Sequence, residues 1–193
     1  MKLSTRFREA LAYAAELHAD QSRKASDVPY IAHLLGVTSI ALEHGADEDE
    51  AIAALLHDAV EDQGGQQTAD EIRRRFGDRV VEIVLGCTDA DTIPKSPWRE
   101  RKEEYIAHIE HASPSVWLVA AADKLHNARS ILADFRRLGD VVWSRFNGGR
   151  EGTLWYYRTL ADKLRDKAPP PLAEELERVV SEMEQEVAQR IDE

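Results

Sequence analysis

The sequence predicts an all-α protein, and three observations carry that expectation. Apolar residues recur at helical spacing in nearly every segment, glycines and prolines fall between those segments, and no two stretches alternate as paired strands would. About eight to ten helices fit this pattern, packed as a bundle around one strongly apolar helix. With 193 residues and 43% hydrophobic content the chain can bury a full core. Nothing in the composition marks a boundary, so residues 1–193 read as a single domain.

Phe7, Leu11, Ala14 and Leu17 place the first helix over residues 5 to 20. A basic loop follows, Gln21-Ser22-Arg23-Lys24, and then a turn from Ala25 to Pro29. Tyr30-Ile31-Ala32-His33 leads into a second apolar helix that stops at Gly45. Asp47 and Glu50 form a capping-box pattern for a third helix, read as continuing through His57, Asp58, Glu61 and Asp62. Thr68 and Glu71 repeat that pattern for a short helix closed by Phe76-Gly77. Residues 79 to 87 read as helix, because no second strand signal exists to pair with them.

Ser96-Pro97 and Ser113-Pro114 each place an N-cap before a proline at the first helical position. The helix that follows the second pair, roughly 115 to 136, is the most apolar in the chain and should be central. Gly148-Gly149 opens a loop before an aromatic helix bearing Trp155, Tyr156 and Tyr157, residues read mainly as core. Pro169-Pro170-Pro171 then sets off a C-terminal extension, 169–193, with an amphipathic helix over 172 to 191. Its Leu172, Leu176, Val179, Val180 and Met183 can dock on the body or on a second subunit, which leaves a homodimer open.

Charge narrows the partners. Lys plus Arg of 25 against Asp plus Glu of 36 gives a net charge of −11, which argues against nucleic-acid and anionic-membrane binding. A small anionic ligand would need local cations. The single cysteine, Cys87, excludes an intramolecular disulfide framework and fits a reducing compartment. No apolar run reaches the roughly 18 residues of a membrane span, and the polar start lacks a signal-peptide core. The expectation is a soluble, cytoplasmic protein.

The chemistry concentrates at residues 57–62. At about 100° per residue, His57, Asp58, Glu61 and Asp62 fall within one helical arc of about 140°. Ile52, Leu55, Leu56, Ala59 and Val60 fill the opposite arc. Three acids and a histidine ending an apolar run, with no Lys or Arg close in sequence, call for a metal and for further ligands elsewhere. Asp123 answers that demand from within Ala120-Ala121-Ala122-Asp123-Lys124-Leu125, where the neighbouring Lys124 projects about 100° away. Asn127 and Ser130 continue its polar stripe at spacings of four and three residues. With His33, the set offers two imidazoles and two carboxylates, which suits Mn²⁺, Fe²⁺ or Zn²⁺ better than Mg²⁺. Glu61 and Asp62 lie one turn on, within reach of a water held by the metal. The remaining histidines, His18, His44, His108, His111 and His126, have no such company and are assigned to surface or supporting positions.

The order His33, then His57-Asp58, then Asp123 resembles the HD-domain metal phosphohydrolases, whose ligands come from an all-helical bundle. Three longer motifs narrow the likeness. Arg23-Lys24 with Pro29-Tyr30-Ile31-Ala32-His33, then Ala53-Ala54-Leu55-Leu56-His57-Asp58-Ala59-Val60-Glu61-Asp62, then Ala122-Asp123-Lys124-Leu125-His126-Asn127-Ala128-Arg129 resemble the hydrolase domain of RelA/SpoT proteins. The chain length is similar to that of its stand-alone form, the small alarmone hydrolases, and the likeness covers about residues 5–165. Ser130 where many relatives have threonine, Leu34 in place of a proline after the histidine, and the length of the Ala25–Val28 loop depart from the pattern.

The resemblance implies manganese held by His33, His57, Asp58 and Asp123, with Glu61 and Asp62 positioning and deprotonating the attacking water. It implies that Arg23 stacks on the purine, Lys24 faces phosphate oxygens, and Asn127 and Ser130 contact the ribose side. The implied reaction is hydrolysis of the 3′-pyrophosphate of (p)ppGpp to GDP or GTP and pyrophosphate, with no room left for a synthetase or regulatory domain. Arg23, Lys24, Lys95, Arg99, Arg101, Lys102 and Lys124 are the cations available to gather phosphates, and Tyr156 is the aromatic candidate for the nucleotide site. The same reaction on (p)ppApp, another HD-domain nucleotide phosphohydrolase, and a non-catalytic nucleotide sensor remain as alternatives.

Overall fold

The computed structural model describes residues 2–24, 26–89 and 96–191. Ten α-helical segments follow in order: α1 (Thr5–Leu17), α2 (Ile31–Glu43), α3 (Glu48–Leu56), α4 (Ala59–Asp62), α5 (Gln66–Phe76), α6 (Asp78–Cys87), α7 (Trp98–Glu110), α8 (Pro114–Leu138), α9 (Gly149–Leu164) and α10 (Pro170–Ile191). A 3-10 turn, Gly139–Arg145, joins α8 to α9. No strand occurs among the described residues, so the all-α expectation holds. Among the described residues no helix is long and apolar enough to cross a membrane.

The centre of the bundle is α8, against which α2, α3, α6, α9 and α10 pack. Its start is fixed by Ser113, whose Oγ accepts the Val116 N–H, and by Pro114 in the first turn, where a missing N–H costs nothing. Val119, Ala121, Ala122, Leu125, Ala128 and Phe135 are fully buried along it. The alanines let α2 and α3 approach closely, which brings His33 and His57 to the face of α8 that bears Asp123. The capping box on α3 forms as read. Asp47 Oδ1 accepts from Glu50 N at 3.0 Å and Glu50 Oε2 accepts from Asp47 N at 2.8 Å, a device typically worth about 1 kcal/mol. The apolar face of α10 packs on α8 and α9, with Leu172, Leu176, Val180 and Met183 buried. The face left open to a second subunit is therefore taken up by the body.

Four sequence expectations are corrected. The first helix ends at Leu17 rather than 20, where His18 caps it and turns the chain toward Gln21. The third helix does not run through to Asp62 but breaks at His57 and Asp58. His57 Nδ1 takes up the Ala54 carbonyl at 2.9 Å, a side-chain bond that competes with the backbone ladder, and α4 restarts with Asp62 N on Asp58 O. Thr68 does not cap α5, because Gly65 at φ +58° lets the helix start three residues earlier. Thr68 Oγ1 instead donates to the Gln63 carbonyl, and Glu71 pairs with Arg74 and Arg75. Pro97 stays extended at ψ 144°, so it is the cap of α7 rather than its first residue, and Ser96 lies outside the helix.

Candidate active site

The break between α3 and α4 turns His57 and Asp58 toward α2 and α8. His33, His57 and Asp58 each place one ligand atom within 4.8 Å of the others, as a divalent cation requires. His57 Nε2 lies 3.0 Å from Asp58 Oδ2 and 3.6 Å from Asp123 Oδ1. His33 Nε2 lies 3.3 Å from Asp123 Oδ1 and 3.6 Å from Asp58 Oδ2. His33 and His57 are almost wholly buried, at 1% and 2% exposure, and His57 Nε2 has no hydrogen-bond partner. Because the Ala54 carbonyl can only accept, His57 carries its proton on Nδ1 and turns the lone pair of that orphaned Nε2 toward the two carboxylates. Facing lone pairs and anions call for a cation or a proton between them, so these residues fit a divalent metal.

The electrostatics agree. Burial opposes a charge on His57, yet the Asp58 and Asp123 carboxylates raise its pKa well above the ordinary value. Burial opposes ionisation of Asp58, but the two imidazoles hold its carboxyl well below the usual range. Asp123 is held low in the same sense, against its burial, by Lys124 and the two histidines. Lys124 corrects a sequence expectation. Its flexible stem bends back so that Nζ lies 2.6 Å from Asp123 Oδ2, beneath the Tyr105 ring, and it lines neither of the two cavities beside the cluster. It balances Asp123 rather than gathering phosphate. Asp123 Oδ1 also accepts from Asn127 Nδ2 at 2.6 Å, and Asn127 Oδ1 accepts from Arg23 at 2.7 Å.

Two cavities open beside the cluster. The larger, about 610 Å³, is lined by Arg23, Lys24, Tyr30, His33, His126, Asn127, Ser130, Arg145, Phe146 and Tyr157 among others. The smaller, about 230 Å³, is lined by Lys24, Glu61, Asp89, Trp98, Arg101, Lys102, Phe146, Tyr156 and Tyr157 among others. Lys24, Phe146 and Tyr157 belong to both. Lys102 reaches Asp89 at 2.6 Å over the Tyr156 ring, and burial together with Lys124 lowers its pKa. The loop bearing Arg23 and Lys24 is closed by Arg23 N on Val28 O and Tyr30 N on Gln21 O, both at 2.8 Å, around a bridge from Ser22 to Pro29. Asp62 accepts from Gln21 Nε2 at 2.8 Å, while Gln21 Oε1 takes Gln63 and His18.

The sequence candidates thus divide. Glu61, Arg101, Lys102 and Tyr156 meet in the smaller cavity, Arg23, Asn127 and Ser130 in the larger, and Lys24 in both. Arg99 does not join them; it pairs with Glu103 and covers the Trp155 ring. Lys95 lies outside the described residues. Tyr30 went unread as a site residue, and His126 was assigned only to a surface or supporting position. Tyr30 donates its hydroxyl to Asp58 Oδ2 at 2.6 Å, and burial beside that carboxylate raises its pKa. Its position three residues before His33, on the same helical face, was the available signal. His126 Nδ1 lies 2.9 Å from His33 Nδ1, and burial with the nearby His33 and Arg23 lowers its pKa to about 4.

An all-helical bundle that gathers His, His-Asp and Asp from three helices defines a class before it defines a protein. Residues 10–154 match the HD domain, and the chain belongs to that family. Among individual proteins it is similar to guanosine-3′,5′-bis(diphosphate) 3′-pyrophosphohydrolase MESH1 of Xenopus tropicalis, with 43% identity over 139 residues that make up 70% of this chain and 73% of that protein. The Homo sapiens MESH1 is 40% identical over the same shares. A solved metazoan ortholog of SpoT, described as hydrolysing ppGpp and playing a role in starvation responses, superposes with a TM-score of 0.78 at 28% identity, covering 94% of this chain and 97% of that one. The Listeria monocytogenes protein lmo0812 superposes with a TM-score of 0.67 at 32% identity, covering 77% and 96%.

Proposed function

We propose that this chain, acting as one domain, hydrolyses the 3′-pyrophosphate of (p)ppGpp to GDP or GTP and pyrophosphate, with manganese held by His33, His57, Asp58 and Asp123. The observation that carries the reading is the cluster of His33, His57 and Asp58 beside two cation-lined cavities that share Lys24. A nucleotide with phosphates on both sides of its ribose needs two such compartments. The names of the MESH1 relatives and of the SpoT ortholog support the same substrate.

In the balance of this reaction one water gives its oxygen to the phosphorus on O3′, the P–O3′ bond breaks, and one proton ends on O3′ as pyrophosphate leaves. A divalent cation at the cluster would neutralise phosphate charge and acidify a water near neutral pH. Glu61 takes the water's proton, a role favoured by its place in the smaller cavity beside Arg101 and Lys102, which hold the pyrophosphate. Asp62, fixed by Gln21, supports that water. Arg23 stacks on the purine in the larger cavity, Asn127 and Ser130 meet the ribose, and Lys24 meets phosphate where the cavities join.

The test is release of pyrophosphate from ppGpp and ppApp, assayed in parallel with Mn²⁺ and with a chelator. Metal-dependent release of GDP and pyrophosphate from ppGpp is expected. A metal-loaded protein that leaves ppGpp intact overturns the reading, and turnover of ppApp alone overturns its base.

A further inference from the structure

Two imidazoles approach each other nitrogen to nitrogen at the edge of the cluster. His33 Nδ1 and His126 Nδ1 are 2.9 Å apart and their ring centroids 4.8 Å apart. At that distance one nitrogen donates a proton and the other accepts it. His33 Nε2, on the far side of its ring, faces Asp123 Oδ1 at 3.3 Å and Asp58 Oδ2 at 3.6 Å. It can offer a lone pair to a cation there only if the ring proton sits on Nδ1, which requires His126 to be the acceptor.

We infer that His126 is the positioning residue of the site: it accepts the His33 Nδ1 proton and thereby fixes the tautomer and ring orientation in which His33 Nε2 binds metal. The inference rests on the metal reading proposed above. The two ligand histidines are set by different means. His57 donates to the Ala54 carbonyl of its own helix, whereas His33, on α2, takes its acceptor from α8. That acceptor is aimed by a notch in α2. Gly36 lies one turn after His33, and a Cβ there would stand 2.3 Å from both Cδ2 and Nε2 of His126. The His126 ring therefore fills the space of the missing side chain, and this packing turns its Nδ1 toward His33.

Manganese titration by calorimetry on the purified chain tests this, with far-UV circular dichroism and apo-protein melting to confirm folding. His126→Phe keeps a ring but no acceptor, and should weaken manganese binding about 10- to 100-fold, the usual effect of losing a ligand's hydrogen-bond partner. His126→Asn places a carbonyl oxygen near the lost Nδ1, and should restore affinity to within a few fold of wild type. Gly36→Ala leaves the imidazole in the chain but displaces it, so it should weaken binding in the same direction and serves if the His126→Phe variant does not fold. Wild-type affinity in His126→Phe overturns the inference, as does His126→Asn binding as weakly as His126→Phe, which would leave ring packing as the cause. A wild-type chain that takes up no metal defeats the metal reading itself, an outcome separate from both.

Discussion

Tyr30 Oη donates to Asp58 Oδ2 at 2.6 Å, and the same oxygen lies 3.0 Å from His57 Nε2. The phenol therefore orients the carboxylate that the His-Asp pair contributes. Tyr30→Phe should leave the helical content intact and reduce manganese affinity about tenfold, the low end for a lost hydrogen bond to a metal-binding carboxylate. Calorimetric titration checks this, and an unchanged affinity would assign the phenol to packing alone.

Asp58→Ala should abolish manganese uptake and pyrophosphate release while the far-UV spectrum stays that of a helical bundle. Elemental analysis decides the point, since a full complement of metal in the variant would remove Asp58 from the ligand set.

Glu61 lines the smaller cavity apart from the His33, His57 and Asp58 cluster, so binding and chemistry should separate there. Glu61→Gln should keep metal and nucleotide affinity and lose on the order of 10²–10⁴ in turnover, the usual worth of a positioned general base. Near-normal turnover would move Glu61 to a structural role.

Arg23 and Lys24 adjoin in sequence but should fail differently. Arg23→Lys keeps the charge and loses both the plane and the fork that meets Asn127, so nucleotide binding should weaken with its salt dependence nearly unchanged. Lys24→Met removes a charge and should flatten the salt dependence equally for guanosine and adenosine substrates. Titrations at two ionic strengths distinguish them, and wild-type behaviour of Arg23→Lys would end the stacking role.

The C-terminal helix carries a pH-dependent tie. Arg158 reaches Glu177 at 2.7 Å, and that bond lowers the Glu177 pKa against a smaller opposing effect of burial. A carboxyl whose folded pKa lies below its unfolded value of about 4.3 stabilises the fold above that pH and loses the contribution as pH falls through the folded value. Glu177→Gln should therefore cost about 0.5–1 kcal/mol at pH 7, given solvent screening of the pair, and the gap to wild type should narrow at a pH below that unfolded value. Thermal melts at the two pH values check it.

The cluster of imidazoles and carboxylates was legible because its members violate local logic: an acid inside an alanine-rich core helix and a histidine ending an apolar run. Periodicity also placed α8 and α10 closely. What stayed hidden depends on side chains acting across or against the helical period. Helical angles put Lys124 about 100° from Asp123, but a four-carbon stem can bend back, so the acid is not isolated from its neighbour as those angles imply. The break after Leu56 arises from one imidazole capturing one carbonyl, which no apolar pattern records. Thr68 lost its cap to the Gly64-Gly65 turn, a stronger local signal than the Thr68 to Glu71 spacing. His126 becomes visible only when α2 and α8 meet at Gly36.

The loop bearing Arg23 and Lys24 is shut at its base by two backbone bonds, Arg23 N to Val28 O and Tyr30 N to Gln21 O. Residues added between Lys24 and Val28 would lie outside that clasp, and each doubling of a flexible loop costs only about 0.6 kcal/mol in closure entropy. The segment is thus an exchangeable cassette. Its length and composition can be rewritten, by selection or by grafting from a relative, while Tyr30 and His33 stay anchored below it, so the rim of the larger cavity, which includes Ser26 and Val28, can change independently of the imidazole–carboxylate cluster.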